Sequence, residues 1–295
     1  MAQKIAIVGV GAIGSVVAAS LAQTGRHELF LCVRRPLPSL TVESAEGSQV
    51  VEGKVLTDPN AAAAVDWVII ATKAYDAAGA VPWLKKLRGK NTPVAVVQNG
   101  VEHRTRYAAY VPDEFIVPVM VDCPAEREKP ELVRKRGPIR LRAPAGAQGQ
   151  GFVDLFSGSD ADAAVTDDIV TVLWRKLCGN SVGVISAITL RATEVMSDEA
   201  VAELGRAIVR ECVAVGRAEG AKLDDGVPDA VVQANRGAPP DFLNSMHADR
   251  LAGRPMESDA RNGVIVRLGK KHGIPTPYNY MGQVLLEAAA KRPAR

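Results

Sequence analysis

The chain is poor in the residues that build metal centres and disulfide frameworks. Its four cysteines, Cys32, Cys123, Cys178 and Cys212, lie far apart with no paired spacing, which suits reduced thiols in a cytoplasmic protein better than a disulfide scaffold. The four histidines, His27, His103, His247 and His272, include no ligand-spaced pair, so no metal is expected. No uninterrupted apolar run reaches the roughly 18 residues that a spanning helix requires, and no membrane partner is expected. A net charge of +3 against 36 basic and 33 acidic residues is too small an imbalance to mark a nucleic-acid partner. Repeats and low-complexity tracts are lacking as well.

What is there is a globular composition, 47% hydrophobic and 23% charged, with no segment too polar to fold. At 295 residues the length suits two domains with a cleft between them, and a homodimer is left open. Lys4 followed by apolar residues as far as Ala18-Ala19-Ser20 imitates a secretory signal, but Gly9, Gly11 and Gly14 interrupt the run. The first half alternates β-rich runs with helical stretches: Ile5 to Val8, Glu28 to Val33, Val68 to Ala71, Val94 to Val97 and Phe115 to Val121. This alternation predicts a parallel sheet with crossover helices. Glu131 to Lys135 and Ile139 to Arg142 are expected to extend the sheet, and Ala143 to Gly151 to form a loop. The basic cluster Arg134, Lys135, Arg136, Arg140 and Arg142 is expected to be a solvated sheet face. Beyond Thr166 the pattern becomes helical, over Asp167 to Leu190, Asp198 to Glu219 and Asp259 to His272. The expected fold is therefore α/β, a Rossmann-type dinucleotide-binding domain over residues 1–165 followed by an all-helical substrate domain over 166–295.

The run Lys4 to Val8 leads straight into Gly9-Val10-Gly11-Ala12-Ile13-Gly14 and then into a helix rich in small residues. Strand, glycine turn and helix arrive in the order a dinucleotide site requires. Gly9 permits the turn, Gly11 lets backbone approach a pyrophosphate, and Gly14 lets the helix pack on the strand. The helix N-terminus, where Ala12 and Ile13 stand, offers N–H groups and positive dipole to the phosphates. About twenty residues beyond Gly14 an NAD-binding chain carries an acid for the ribose; here stand Arg34 and Arg35. A guanidinium binds a 2'-phosphate through paired charge-assisted hydrogen bonds, so NADP (NADPH) is the expected cofactor. Lys73, just past the Val68 to Ala71 strand, falls on the same carboxyl edge, as a ligand-binding or merely solvated lysine.

In the segment Thr166 to Leu190, Thr166 is a plausible N-cap, and Lys176 and Asn180 fall on the same helical stripe as Ile169, Leu173 and Ala187. Polar groups four apart on an apolar stripe are expensive to bury without partners. They are expected to face the cleft, the alternative being a lysine whose head snorkels to water.

Lys176-Leu177-x-x-Asn180 after Trp174 resembles the ketopantoate reductase signature. The glycine fingerprint, Arg34, Lys73-Ala74-Tyr75 and Gln98-Asn99-Gly100 resemble that family's cofactor motifs. Asn244-Ser245-Met246-His247-Ala248-Asp249, with Glu257-Ser258-Asp259 and Asn262-Gly263, is similar to its substrate-binding region. The likeness spans nearly the whole chain. It implies NADPH-dependent reduction of a small 2-keto acid, with Lys176 as general acid and Asn99 and Asn180 positioning substrate and nicotinamide. It further implies that Ser245 binds the substrate carboxylate, that Glu257 accepts from a substrate hydroxyl, and that Asp249 supports the site. Read without the resemblance, Ser245 is a helix-start residue and Glu257 offsets a helix dipole.

The chain departs from the family twice. Gly183 and Val184 stand where a second asparagine is expected, and Asp122-Cys123-Pro124 replaces a glycine-rich turn. Two other classes compete. Gly179-Asn180-Ser181-Val182-Gly183 matches a hydrolase nucleophile elbow, but in a helical rather than a strand context. A non-catalytic NADP sensor would share the fold, as would a dehydrogenase of another 2- or 3-hydroxy acid.

Overall fold

The computed structural model describes residues 2–239 and 242–290. The chain divides into two compact units, Met1–Gln98 with Glu102–Ile169, and Asn99–Val101 with Val170–Arg295. The division falls at Ile169, and the short Asn99–Val101 segment groups with the second unit.

The strands of the first unit are β1 (Lys4–Val8), β2 (Glu28–Cys32), β3 (Thr41–Ser44), β4 (Gly47–Val50), β5 (Lys54–Leu56), β6 (Trp67–Ile70), β7 (Val94–Val96), β8 (Ile116–Pro118), β9 (Met120–Asp122), β10 (Ala125–Lys129), β11 (Leu132–Lys135), β12 (Arg140–Pro144) and β13 (Asp162–Thr166). Its helices are α1 (Ala12–Gln23), α2 (Ala77–Leu87), α3 (His103–Tyr107) and α4 (Ala147–Asp154). Six strands form a parallel sheet in the order β5-β2-β1-β6-β7-β8. Renumbered among themselves these run 3-2-1-4-5-6, the doubly wound dinucleotide-binding order, with its switch point between β1 and β6. Side chains alternate across the sheet. Ile5 and Ile7 join the core that includes Val16, Val17 and Leu21 of α1, while Ala6 and Val8 join the opposite one with Trp83 and Leu84 of α2.

Several expectations are corrected. The Glu131 to Lys135 and Ile139 to Arg142 strands do not extend the main sheet: β11 lies in a four-stranded sheet ordered β10-β11-β3-β4, and β12 in a three-stranded one ordered β13-β12-β9. The run Phe115 to Val121 is two strands, β8 and β9, assigned to different sheets. The expected loop Ala143 to Gly151 holds the end of β12 and the start of α4. Its glycines misled because they serve packing. Gly146 turns the chain at φ +117, and a Cβ on Gly149 would lie 1.7 Å from the Pro144 carbonyl oxygen, so α4 can sit on β12 only with glycine there. The basic cluster is paired with acids, Arg134 with Glu128 and Glu43, Lys135 with Asp160, Arg136 with Glu126, and Arg140 and Arg142 with Asp162.

The second unit is helical: α5 (Ile169–Ser181), α6 (Gly183–Thr189), α7 (Glu199–Ala218), α8 (Val227–Arg236), α9 (Ser245–Leu251), α10 (Val264–His272) and α11 (Pro277–Ala290). The expected single helix from Asp167 to Leu190 breaks at Val182, and Thr166 ends β13, where its hydroxyl accepts from the Asp168 N–H at 3.3 Å. Asp198 caps α7, accepting from the N–H groups of Ala200 and Val201. A π-helical turn, Asp259–Gly263, leads into α10, which closes on Gly273 at φ +67. A buried polar network crosses the apolar core. Asn262 donates to the Ser181 carbonyl at 3.0 Å and to Asn279 at 2.9 Å, and Asn279 donates to Glu211 at 2.7 Å. Ser181 is fully buried and bonded to the Cys178 carbonyl inside a helix, which removes the hydrolase-elbow reading. Among the described residues no helix is long and apolar enough to cross a membrane.

The glycine turn after β1 gives the first prediction. A Cβ on Gly14 would lie 2.1 Å from the Gly9 carbonyl oxygen, whereas one on Gly11 would meet nothing within 4 Å. Gly14→Ala should lower unfolding free energy by about 1–3 kcal/mol, the range for overpacking. Gly11→Ala, at an extended helix N-cap, should cost below about 1 kcal/mol. Denaturant titration of both variants checks this, and equal losses would mean that protein packing, not a ligand, requires Gly11.

Candidate active site

The residues expected to hold the cofactor lie along the carboxyl edge of the main sheet. Gly9 adopts φ +95, its N–H donates to the Cys32 carbonyl at 3.1 Å, and a Cβ there would strike Thr72 at 2.6 Å. Gly14 lies against Gly9 and Ala71. These two glycines are demanded by the protein itself. Gly11 is not, and the open space over it leaves room for a pyrophosphate beside the first-turn N–H groups of Ala12 and Ile13, which have no carbonyl partner within an α-helix. The turn is held from outside by Arg127 of β10, whose Nη1 donates to the Val10 carbonyl at 2.7 Å. Burial pulls the Arg127 guanidinium below its ordinary pKa.

Arg34 stands just past β2 with its side chain 84% exposed, 3.3 Å from the Asp76 carboxylate. The acid missing from the end of β2 in the sequence is thus present in space, on the turn before α2, where it pairs with the arginine. Lys73 is half-buried at the start of the 3-10 turn Ala74–Asp76. Beneath it, buried Gln98 ties strand ends together. Its Nε2 donates to the Thr72 hydroxyl and carbonyl, both at 2.9 Å, and its Oε1 accepts from Arg106. His103 donates from Nε2 to the Gln98 carbonyl at 2.8 Å, the tautomer following from the carbonyl's being only an acceptor. Burial drives its pKa down to about 4, so the ring is neutral near pH 7.

The residues expected to act on the substrate lie in the second unit. Lys176 and Asn180 are one turn apart on α5, both half-buried, beside the buried Leu177 and Cys178. Asn180 approaches the Asn99 Oδ1 at 3.5 Å, and Asn99 donates from Nδ2 to the Glu257 carboxylate at 2.9 Å. Glu257 is 3% exposed and stands just before the helical turns that begin at Ser258. The geometry therefore joins Asn180, Asn99 and Glu257 in one line. Ser245 opens α9 and is exposed, but the cap of that helix is Asn244, which accepts from the N–H groups of Met246 and His247. The Ser245 oxygen instead accepts from Arg261 at 2.5 Å. Asp249 is buried and paired with Arg254 at 2.8 Å.

Four features escape sequence reasoning. Asn244 and Gln98 sit inside motifs without a role of their own, Arg261 falls between two motifs, and Arg127 acts by a contact distant in the chain. The Asn262-Gly263 pair of the quoted substrate motif is interior, Asn262 being fully buried and bonded to Ser181 and Asn279.

Comparison with known proteins places the chain in a family. Residues 5–148 match the family model described as ketopantoate reductase PanE/ApbA, and residues 168–290 match its C-terminal counterpart. The 2-dehydropantoate 2-reductase of Caulobacter vibrioides is 46% identical over 97% of this chain and 99% of its own. Among solved structures, a PanE/ApbA family ketopantoate reductase from Ralstonia eutropha superposes with TM-score 0.89 at 29% identity, covering 97% of this chain and 98% of that one. A D-mandelate dehydrogenase in ternary complex with NADH and anilino(oxo)acetate gives TM-score 0.87 at 26% identity over the same shares. With both family models matched in order and full-length identity at this level, the chain belongs to the ketopantoate reductase family.

Proposed function

We propose that this chain is an NADPH-dependent 2-dehydropantoate 2-reductase, a cytoplasmic enzyme that reduces the 2-keto acid to pantoate for pantothenate biosynthesis. The observation that carries the reading is the line from Asn180 through Asn99 to Glu257, one helical turn from Lys176. It is supported by full-length likeness to a reductase of that name.

The residues fit the cofactor. Gly9, Gly11 and Gly14, with the N–H groups of Ala12 and Ile13, would hold the pyrophosphate, Arg34 the 2'-phosphate, and Lys73 and Asn99 the remainder. When bound, NADPH supplies the hydride. Reduction leaves negative charge on the ketone oxygen, and a fixed ammonium stabilises that charge more than it stabilises the neutral ketone. Lys176 polarises the oxygen and gives it a proton from Nζ. Asn180 and Asn99 present amides that orient the substrate, Ser245 takes its carboxylate, and Asp249 holds the α9 end of the site. Glu257 is already an acceptor for Asn99, but a carboxylate has lone pairs for a second donor, the 4-hydroxyl of the substrate.

Arg34→Ala should weaken NADPH binding by about 1.5–3 kcal/mol, as for lost hydrogen bonds to a charged group, and leave NADH binding nearly unchanged. Fluorescence titration with both cofactors reads this directly, and equal losses would remove Arg34 from 2'-phosphate recognition. Lys176→Met should lower kcat by roughly 10²–10⁴-fold while the variant still binds NADPH. A folded variant that turns over normally places the acid elsewhere.

The decisive test is kcat/KM for ketopantoate against 2-ketoisovalerate, followed by loss of NADPH absorbance. A site built to pair with a hydroxyl rejects the analogue lacking it, by up to about 10⁴-fold. Wild type should prefer ketopantoate, and Glu257→Ala should erase most of the preference. Equal use of both acids ends the hydroxyl-recognition idea, and activity on neither ends the reductase reading.

A further inference from the structure

Arg261 belongs to no role assigned so far, and its surroundings are unusual for an arginine. The residue is 3% exposed. One arm, Nη2, donates to the Ser245 hydroxyl oxygen at 2.5 Å, and its buried Nε has no hydrogen-bond partner. Burial pulls the guanidinium's pKa down, while the charges of Glu257 and Asp249, both nearly buried, push it back up. A buried cation with an unmet donor is a poor device for stability, since an apolar side chain of similar volume avoids the desolvation penalty altogether. Its chemistry toward a ligand is more informative.

A guanidinium has five donors and no acceptor. The short contact therefore fixes the Ser245 oxygen as an acceptor from Arg261, and the serine's own hydrogen must point elsewhere. Ser245 is exposed where Arg261 is not, so the hydrogen is available on the accessible side with a positive charge behind it. A hydroxyl that accepts from a cation is also a stronger donor, because hydrogen bonds in a chain polarise one another. The ligand suited to a donor with positive charge behind it is an anion, and a 2-keto acid brings one in its carboxylate.

We propose that Arg261 is the positioning residue of a carboxylate receptor, holding Ser245 as a donor and placing a buried cation behind it, so that 2-keto acids are selected over neutral 2-keto compounds. This rests on the reading that Ser245 binds the substrate carboxylate. It also answers a gap in this chain, because the position of the family's second asparagine offers no amide: Val184 is 1% exposed among apolar residues.

The test compares ketopantoate with its primary amide, which keeps the shape and loses the charge, in wild type, Arg261→Met, Arg261→Lys, Ser245→Ala and Arg261→Met with Ser245→Ala. Calorimetric binding of pantoate and its amide runs in parallel, as a readout free of turnover. Arg261→Met should raise KM for the acid about 10–100-fold, the loss of a hydrogen bond to a charged group, with kcat within about threefold and the amide's KM scarcely moved. Arg261→Lys should keep part of the acid preference, since charge remains while the fork is lost. The double variant should lose no more than the worse single one, because the two residues act as a unit. Equal losses for acid and amide, or an unchanged acid-to-amide ratio in folded Arg261→Met, overturn the proposal. So does an Arg261→Met loss that persists in full on top of Ser245→Ala. A wild type that binds pantoate over its amide, with that preference lost in Arg261→Met, yet does not reduce ketopantoate defeats the proposed activity and upholds the receptor.

Discussion

A charge or an amide taken out of water must find partners or forfeit several kcal/mol, and the second unit is arranged around that requirement. Glu211, in the middle of α7, accepts from the backbone N–H groups of Tyr278 and Asn279 and so caps the start of α11. The Asn279 amide reaches back to the Ile208 carbonyl of α7, and Asn262 bridges Asn279 to the Ser181 carbonyl at the end of α5. Three helices and the π-helical turn are thereby fixed in register by bonds that apolar packing alone would not specify. Arg261 is the chain neighbour of Asn262 in that turn. The network that ties these elements together therefore also holds the turn that carries Arg261, whose guanidinium donates to Ser245. Stability and site geometry share one set of contacts here, so a change at Asn262 or Asn279 is felt at both.

In the first unit the governing constraint is steric. Gly9 and Gly14 touch one another and the end of β6, and this closeness brings the N-terminus of α1 to the switch point of the sheet. Thr72 and Gln98 then join the ends of β6 and β7 to the same place. That much was legible in the sequence, because a glycine spacing after a strand has few physical explanations. The same reasoning failed at Gly146 and Gly149, where glycines in an apparent loop allow a helix to press on a strand. Glycine reports that backbone comes close to something, and the sequence does not say to what. The assignment of β11 and β12 to separate sheets was also hidden, since strand pattern reveals alternation but not partners.

The helical pattern of the second unit was legible in outline, and so was the placing of Lys176 and Asn180 on one stripe. Arg261 was not. Between Asp259 and Asn262 it looks like the polar side of a helix that follows the 3.6-residue period, but a π-helical turn shifts side chains off that period, and the residue ends up inside. Asn244 was likewise read as part of a motif without a role of its own, whereas it caps α9 and donates to the Gly183 carbonyl.

That last contact bears on the departure at positions 183 and 184. A Cβ on Gly183 would lie 3.1 Å from the Asn244 side chain, tighter than ordinary contact, so a larger residue there would have to displace the cap of α9. Val184, for its part, lies against Gly282 of α11, where a Cβ would meet its methyl groups at 3.2 Å. An asparagine at 184 would put an amide into that apolar seam, at a desolvation cost. The two positions are thus committed to packing α6 against α9 and α11. Polar recognition has to come from elsewhere in the unit, and Arg261 is a nearly buried side chain there with a buried donor left unpaired. A buried guanidinium behind a hydroxyl differs from an amide in carrying charge. A charge discriminates strongly against neutral ligands but weakly among carboxylates. Discrimination among carboxylates therefore needs contacts away from the charge.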